Sequence, residues 1–195
     1  MNTNPDFFRW MLFVDGENFT IQAEKLALTK GVTLVAGPHY NPEVFAWMPN
    51  CNARENIYSG TGLPIYGDAI RSHYYASCVG DDQKQFKTKE DLRNLGFHPG
   101  VFKKPQSKPK SKGVDITLTK DMLSHAFLNN YHIAVLIAGD GDYVPLIQEV
   151  QRLGKVVYVA FFSEEQAGLS KELRVTADGF CDLGTKFSKF WNRTP

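Results

Sequence analysis

The sequence predicts an α/β protein built on a doubly wound, mainly parallel sheet, and three observations lead there. The apolar run Val135–Ala138 stops at Gly139-Asp140-Gly141-Asp142, and Val144, Leu146, Ile147, Val150 and Leu153 then follow at helical spacing. Trp10–Val14 stops in the same way at Asp15-Gly16-Glu17-Asn18, and Phe19, Ala23, Leu26 and Ala27 mark a second helix. A third run, Lys155–Phe162, begins after Gly154, a helix stop. Uninterrupted apolar runs are strands buried on both faces, as in a parallel sheet. Alternation with helices implies right-handed crossovers.

The remaining elements follow in order. Asn18 is a plausible N-cap for the first helix. Residues 31–68 hold Pro38, Pro42, Pro49 and Pro64 among Tyr40, Phe45, Trp47, Tyr58 and Tyr66. Proline at that density breaks regular elements, so the stretch reads as a long insertion after the first helix. Its aromatics either pin the insertion to the body, the reading favoured here, or stack on bases. Ile70–Val79 reads as a strand closed by Gly80-Asp81-Asp82, whose acids suit the N-terminus of a helix over Gln83–Arg93. Gly96–Phe102 can form a short edge strand.

Lys103, Lys104, Lys108, Lys110 and Lys112 come next, with no acid between Gly100 and Val114. Prolines hold this segment extended. It is either a solvated loop or a strip that contacts phosphates. Ile116, Thr119, Leu123, Ala126 and Phe127 mark a helix with Asp115 in its first turn. Asp121, roughly 240° further around that helix, cannot easily face the same point. Leu169–Val175 reads as a short helix and Phe180–Leu183 as a terminal strand or turn. The tail, 184–195, either packs on the body or serves oligomerisation.

A chain of 195 residues suits a single domain over 1–195. With 43% hydrophobic and 22% charged residues it has the composition of an ordinary globular protein. A net charge of +1 excludes a uniformly basic nucleic-acid binder and leaves steering to local patches. The odd, scattered set Cys51, Cys78 and Cys181 argues against a disulfide framework and points to a reducing cytoplasm. The N-terminus reads as no signal peptide, and no stretch approaches a membrane span. GxGxxG and GxxxxGK[ST] are absent, which disfavours dinucleotide and P-loop nucleotide binding. No Cys/His spacing offers a zinc site.

In a doubly wound sheet, ligands bind at the carboxyl ends of strands where strand order reverses. Asp15 and Asp140 end adjacent strands if the switch lies between them. Asp115 can reach the same mouth, and Asp142 is two residues from Asp140; it either caps the following helix or joins the acids, and can do both. Clustered carboxylates repel unless a cation neutralises them. All-oxygen donors suit Mg²⁺ or Mn²⁺. Such ions serve phosphate chemistry by orienting the phosphate and activating water.

Four ordered motifs then carry a family resemblance. Phe13-Val14-Asp15-Gly16-Glu17-Asn18, Lys112-Gly113-Val114-Asp115-Ile116, Ala138-Gly139-Asp140-Gly141-Asp142-Tyr143-Val144-Pro145-Leu146 and Gly154-Lys155-Val156-Val157 resemble the NYN domain, the LabA-like branch of the PIN-like nuclease superfamily. The resemblance implies a Rossmann-like three-layer PIN-like fold and a ribonuclease cutting by metal-activated water. It implies Asp15, Asp115 and Asp140 as ligands of Mg²⁺ or Mn²⁺, supported by Asn18 and Asp142. Ala138 stands where the family commonly has serine. The 31–68 insertion departs from the family pattern.

The leading reading is a metal-dependent endoribonuclease acting on single-stranded or structured RNA, with Lys103, Lys104, Lys108, Lys110 and Lys112 on backbone phosphates. The alternative is a catalytically weak NYN module that binds RNA or a protein partner in a regulatory role. An aspartyl-nucleophile phosphatase fits poorly, because Glu17 stands where that chemistry wants a second aspartate. A homodimer stays open.

Overall fold

The computed structural model describes residues 8–48, 65, 68–105, 112–164 and 168–184. Its main elements are β1 (Trp10–Asp15), α1 (Gly16–Lys30), β2 (Tyr40–Asn41), β3 (Phe45–Ala46), β4 (Arg71–Cys78), α2 (Asp82–Asn94), β5 (His98–Lys103), α3 (Lys112–Phe127), β6 (Ile133–Ile137), α4 (Val144–Arg152), β7 (Val156–Phe161), α5 (Lys171–Thr176) and β8 (Gly179–Asp182). A 3₁₀ turn, Gly141–Tyr143, leads into α4.

Six strands form one sheet in the order β5-β4-β1-β6-β7-β8. Every pairing in it is parallel. From β1 the chain builds outward through β4 and β5. It then returns to the other side of β1 and builds outward again through β6, β7 and β8. Strand order therefore reverses between β1 and β6, whose register pairs Val14 with Ile137. The doubly wound reading holds, with helices on both faces.

Period-two alternation assigns the strand side chains to two cores. Trp10, Leu12 and Val14 pack with Phe19, Ala23 and Leu26 of α1 and Leu92 of α2. Met11 and Phe13 pack with Val114, Leu118 and Met122 of α3 and Ile147 and Val150 of α4. Phe45 and Trp47, from the described part of the insertion, are 1% exposed and join the α1 side. They pin the β2–β3 hairpin to the body, as the favoured reading of those two aromatics had it. Tyr58 and Tyr66 lie outside the described residues.

Some boundaries differ from the sequence reading. The α3 helix starts at Lys112, so the last lysine of the strip belongs to the helix. Gly139 and Gly141 do not have positive φ. Their need for glycine is one of space: a Cβ on Gly139 would lie 2.3 Å from the Phe161 ring, and one on Gly141 2.9 Å from Ser170 Oγ. Cys78 and Cys181 are buried free thiols. Among the described residues no helix is long and apolar enough to cross a membrane.

One polar residue sits inside the second core. The His73 ring lies parallel to those of Phe13 and Tyr75, at centroid distances of 5.4 and 6.0 Å. His98 of β5 and His125 of α3 approach it to 5.6 and 5.5 Å. Burial, then the His125 and His98 charges, push the His73 pKa from 6.5 to about 4; Asp121 opposes this and Arg71 adds to it. The unfolded chain thus binds the proton more readily than the folded one between these values. The stabilisation is fully present above pH 6.5 and is lost as pH falls to about 4. A shift of that size corresponds to roughly 3 kcal/mol. In denaturant unfolding followed across this window, His73→Phe is expected to flatten the acid-side loss; an unchanged pH profile would assign that loss to other groups.

Candidate active site

The carboxyl ends of β1 and β6 meet at the point of strand reversal, and local chemistry fixes their acids. Asp15 closes β1 and is the N-cap of α1: its Oδ1 accepts a hydrogen bond from the Asn18 backbone N–H at 2.9 Å. Asn18 is therefore not the cap that the sequence suggests. Its side chain works across the sheet instead, its Oδ1 accepting from the Gly139 N–H at 3.0 Å. One buried residue ties the β1 turn to the β6 turn.

Asp140 follows that turn and caps the 3₁₀ turn, its Oδ1 accepting from the Asp142 N–H at 3.2 Å. Asp142 is exposed. It does not cap α4, which is preceded by Tyr143 with no side-chain cap bond and has proline in its first turn. Asp115 lies in the first turn of α3, as its spacing predicts.

Tyr143 connects these parts, and sequence reasoning assigned it no role in the site. Its hydroxyl lies 3.0 Å from Asp15 Oδ2 and 3.1 Å from Asp115 Oδ1. Burial first, and then the two carboxylates, push its pKa far above the ordinary phenol value. The phenol therefore keeps its proton, and one proton serves one acceptor at a time. The visible signal was a hydroxyl-bearing aromatic three residues after Asp140, a spacing that eclipses in a 3₁₀ turn.

Distant pairing also changes the local charge. Lys104 Nζ lies 2.9 Å from Glu17 Oε1, and both side chains are largely buried, at 12% and 6% exposure. Ser77 Oγ donates to the same Glu17 oxygen. Lys103 pairs with Asp82 at the start of α2. Two of the five lysines thus already have acidic partners. Lys108, Lys110 and the side chain of Lys112 lie outside the described residues.

The donors here suit a hard cation. Asp15 and Asp115 each direct an oxygen to one atom, the Tyr143 hydroxyl. Among the described residues no three His, Cys, Asp or Glu side chains are arranged to enclose a metal. A full cage is not required for Mg²⁺, which keeps several waters and takes one or two carboxylates plus substrate phosphate. Asp15 and Asp115 fit that coordination style, with Asp140 at the adjoining strand end.

A doubly wound sheet with acids at its switch point defines a class of α/β domains that bind ligands at the carboxyl ends of their strands. Residues 9–184 match the NYN domain, and the chain belongs to that family. NYN domains are generally nucleases of the PIN-like superfamily, and such enzymes typically use divalent metals. The crystal structure of a protein of unknown function from Vibrio parahaemolyticus is similar, with a TM-score of 0.59 and 19% identity over 93% of this chain and 96% of that one. At that identity the likeness concerns the fold. No curated protein matches the chain.

Asn18→Ala would leave the buried Gly139 N–H without its acceptor. The expected cost is about 1–3 kcal/mol in denaturant unfolding; a loss below 0.5 kcal/mol, roughly the scale of a neutral surface change, would show that the tie is dispensable.

Proposed function

We propose that the protein is a Mg²⁺- or Mn²⁺-dependent endoribonuclease that hydrolyses phosphodiester bonds in single-stranded or structured RNA. Asp15, Asp115 and Asp140 hold the metal in this reading, and Asp142 assists. The observation that carries it is the single Tyr143 hydroxyl between Asp15 and Asp115. Two carboxyl groups brought to one point from different elements, at the mouth of the sheet, form an all-oxygen donor set that suits a hard cation. When bound, the cation polarises the phosphate and lowers the pKa of a water.

The chain's own groups supply position. Asp15 is held by the Asn18 N–H and the Tyr143 hydroxyl, which restrict its rotation. Asp115 comes from a different element, so the two acids approach from separate sides. Asn18 keeps the β1 and β6 turns in register. Lys108, Lys110 and Lys112 are the proposed contacts to backbone phosphates. Lys103 and Lys104 border that strip, already paired with Asp82 and Glu17.

The direct test is cleavage of a labelled single-stranded RNA with Mn²⁺, Mg²⁺ or EDTA. Wild type is expected to cut with either metal and stop with EDTA. Asp140→Asn is expected to lose at least a hundredfold in rate, roughly 2.7 kcal/mol, with its circular dichroism unchanged. Full activity of the folded variant in metal-replete buffer would overturn the assignment.

Tyr143→Phe probes the shared hydroxyl separately. Cleavage is expected to fall about tenfold, near 1.4 kcal/mol, with half-maximal activity at higher Mn²⁺. An unchanged metal dependence would show that the hydroxyl does not orient the acids.

A further inference from the structure

A second concave site lies on the α3 face of the sheet, toward the amino ends of β4 and β5. It is a cavity of about 700 Å³ whose lining includes Arg71, His73, Arg93, His98, Asp68 and Asp121. Its size is within the range that holds small ligands. Among the described residues, neither Arg71 nor Arg93 forms an ion pair. Asp121, by contrast, is occupied: it accepts from the Tyr75 hydroxyl at 3.0 Å and pairs with Lys120 at 3.1 Å. The positive groups of the lining thus outnumber its uncommitted acids, of which Asp68 is one.

An orphaned polar atom points the same way. His73 is 9% exposed, and its Nε2 is buried without a hydrogen-bond partner. A desolvated polar atom with no partner is costly, and a ligand that bonds to it removes that cost. Guanidinium groups match phosphate geometry with paired N–H donors. Imidazole adds either a donor or an acceptor to a phosphate oxygen or hydroxyl.

We propose that this cavity binds a phosphate group through Arg71, Arg93 and the imidazoles of His73 and His98. Two sources share that chemistry: a free phosphate or phosphomonoester, and a phosphate within a nucleic-acid strand. Asp121 follows Asp115 by six residues, about 9 Å along the α3 axis, so a strand crossing the aspartates can reach the cavity. That second role, holding the strand beside the cut, rests on the nuclease reading; phosphate binding itself does not.

The test is heteronuclear NMR of the histidine side chains of the full chain, titrated with sodium phosphate and, separately, with a 2′-O-methyl oligoribonucleotide. Sodium chloride at matched ionic strength is the control. His73 and His98 signals are expected to shift saturably with phosphate but not with chloride. The Arg71→Ala/Arg93→Ala variant is expected to bind at least tenfold more weakly. Both arginines are exposed, so their truncation spares the fold. Tighter saturation by the oligonucleotide than by phosphate assigns the source to a strand, and the reverse assigns it to free phosphate.

No saturable shift with either probe overturns the proposal, as does equal binding by the double variant. Asp140→Asn separates the two readings. Saturable phosphate binding without metal-dependent cutting by wild type removes the nuclease and keeps the cavity. Cutting that Asp140→Asn abolishes, without any histidine response, removes the cavity and keeps the nuclease.

Discussion

The side-by-side parallel run of β1 and β6 is the constraint on which the site depends. Two consecutive halves of the chain build outward from this pair, so the sheet reverses its order there and opens a crevice at the strand ends. The Asn18 side chain makes the pairing exact at its last step, joining the β1 turn to Gly139. Everything that converges on the crevice is placed by that join: Asp15 on one lip, Asp140 on the other, and Tyr143 reaching back across.

The electrostatics of the crevice are built in pairs. The Tyr143 hydroxyl lies between two carboxyl groups, while Glu17, two residues from Asp15, has a buried ammonium beside it in Lys104. The acids at this end of the sheet therefore include one paired with an ammonium and two that meet at a single hydroxyl. Removing Lys104 would take a buried ammonium away from the Glu17 carboxylate, which is costly. The pair also fixes the end of β5 against α1, so charge and architecture are coupled there.

Much of this was legible in the sequence because local grammar is strong where strands are buried on both faces. Trp10–Val14 and Val135–Ala138 announced themselves as central strands, and the Asp that ends each run followed from the same pattern. Asp115 was legible through helical spacing. What could not be read were side-chain partners brought together by topology. Nothing local distinguishes Tyr143 from an apolar helix residue, or Lys104 from its neighbours in a lysine-rich segment. Asn18 was mistaken for a cap because N-cap chemistry is shared by Asp and Asn, and Asp15 occupies the position one turn earlier. His73 sits in a strand pattern where its burial looks ordinary; only the approach of His98 and His125 from other elements makes it unusual.

The central place of β1 also bears on how the chain reaches this state. The β1 strand needs partners from two later stretches of the chain, β4 on one side and β6 on the other. Its edge toward β6, and the face that α3 and α4 cover, stay open until those later elements have been made. Long sequence separation between contacting strands slows the search, because loop-closure entropy must be overcome before the contacts form. Exposed strand edges in that interval favour mispairing between chains. The arrangement that gives the crevice its two lips thus makes synthesis of the second half the step at which the molecule becomes safe from aggregation.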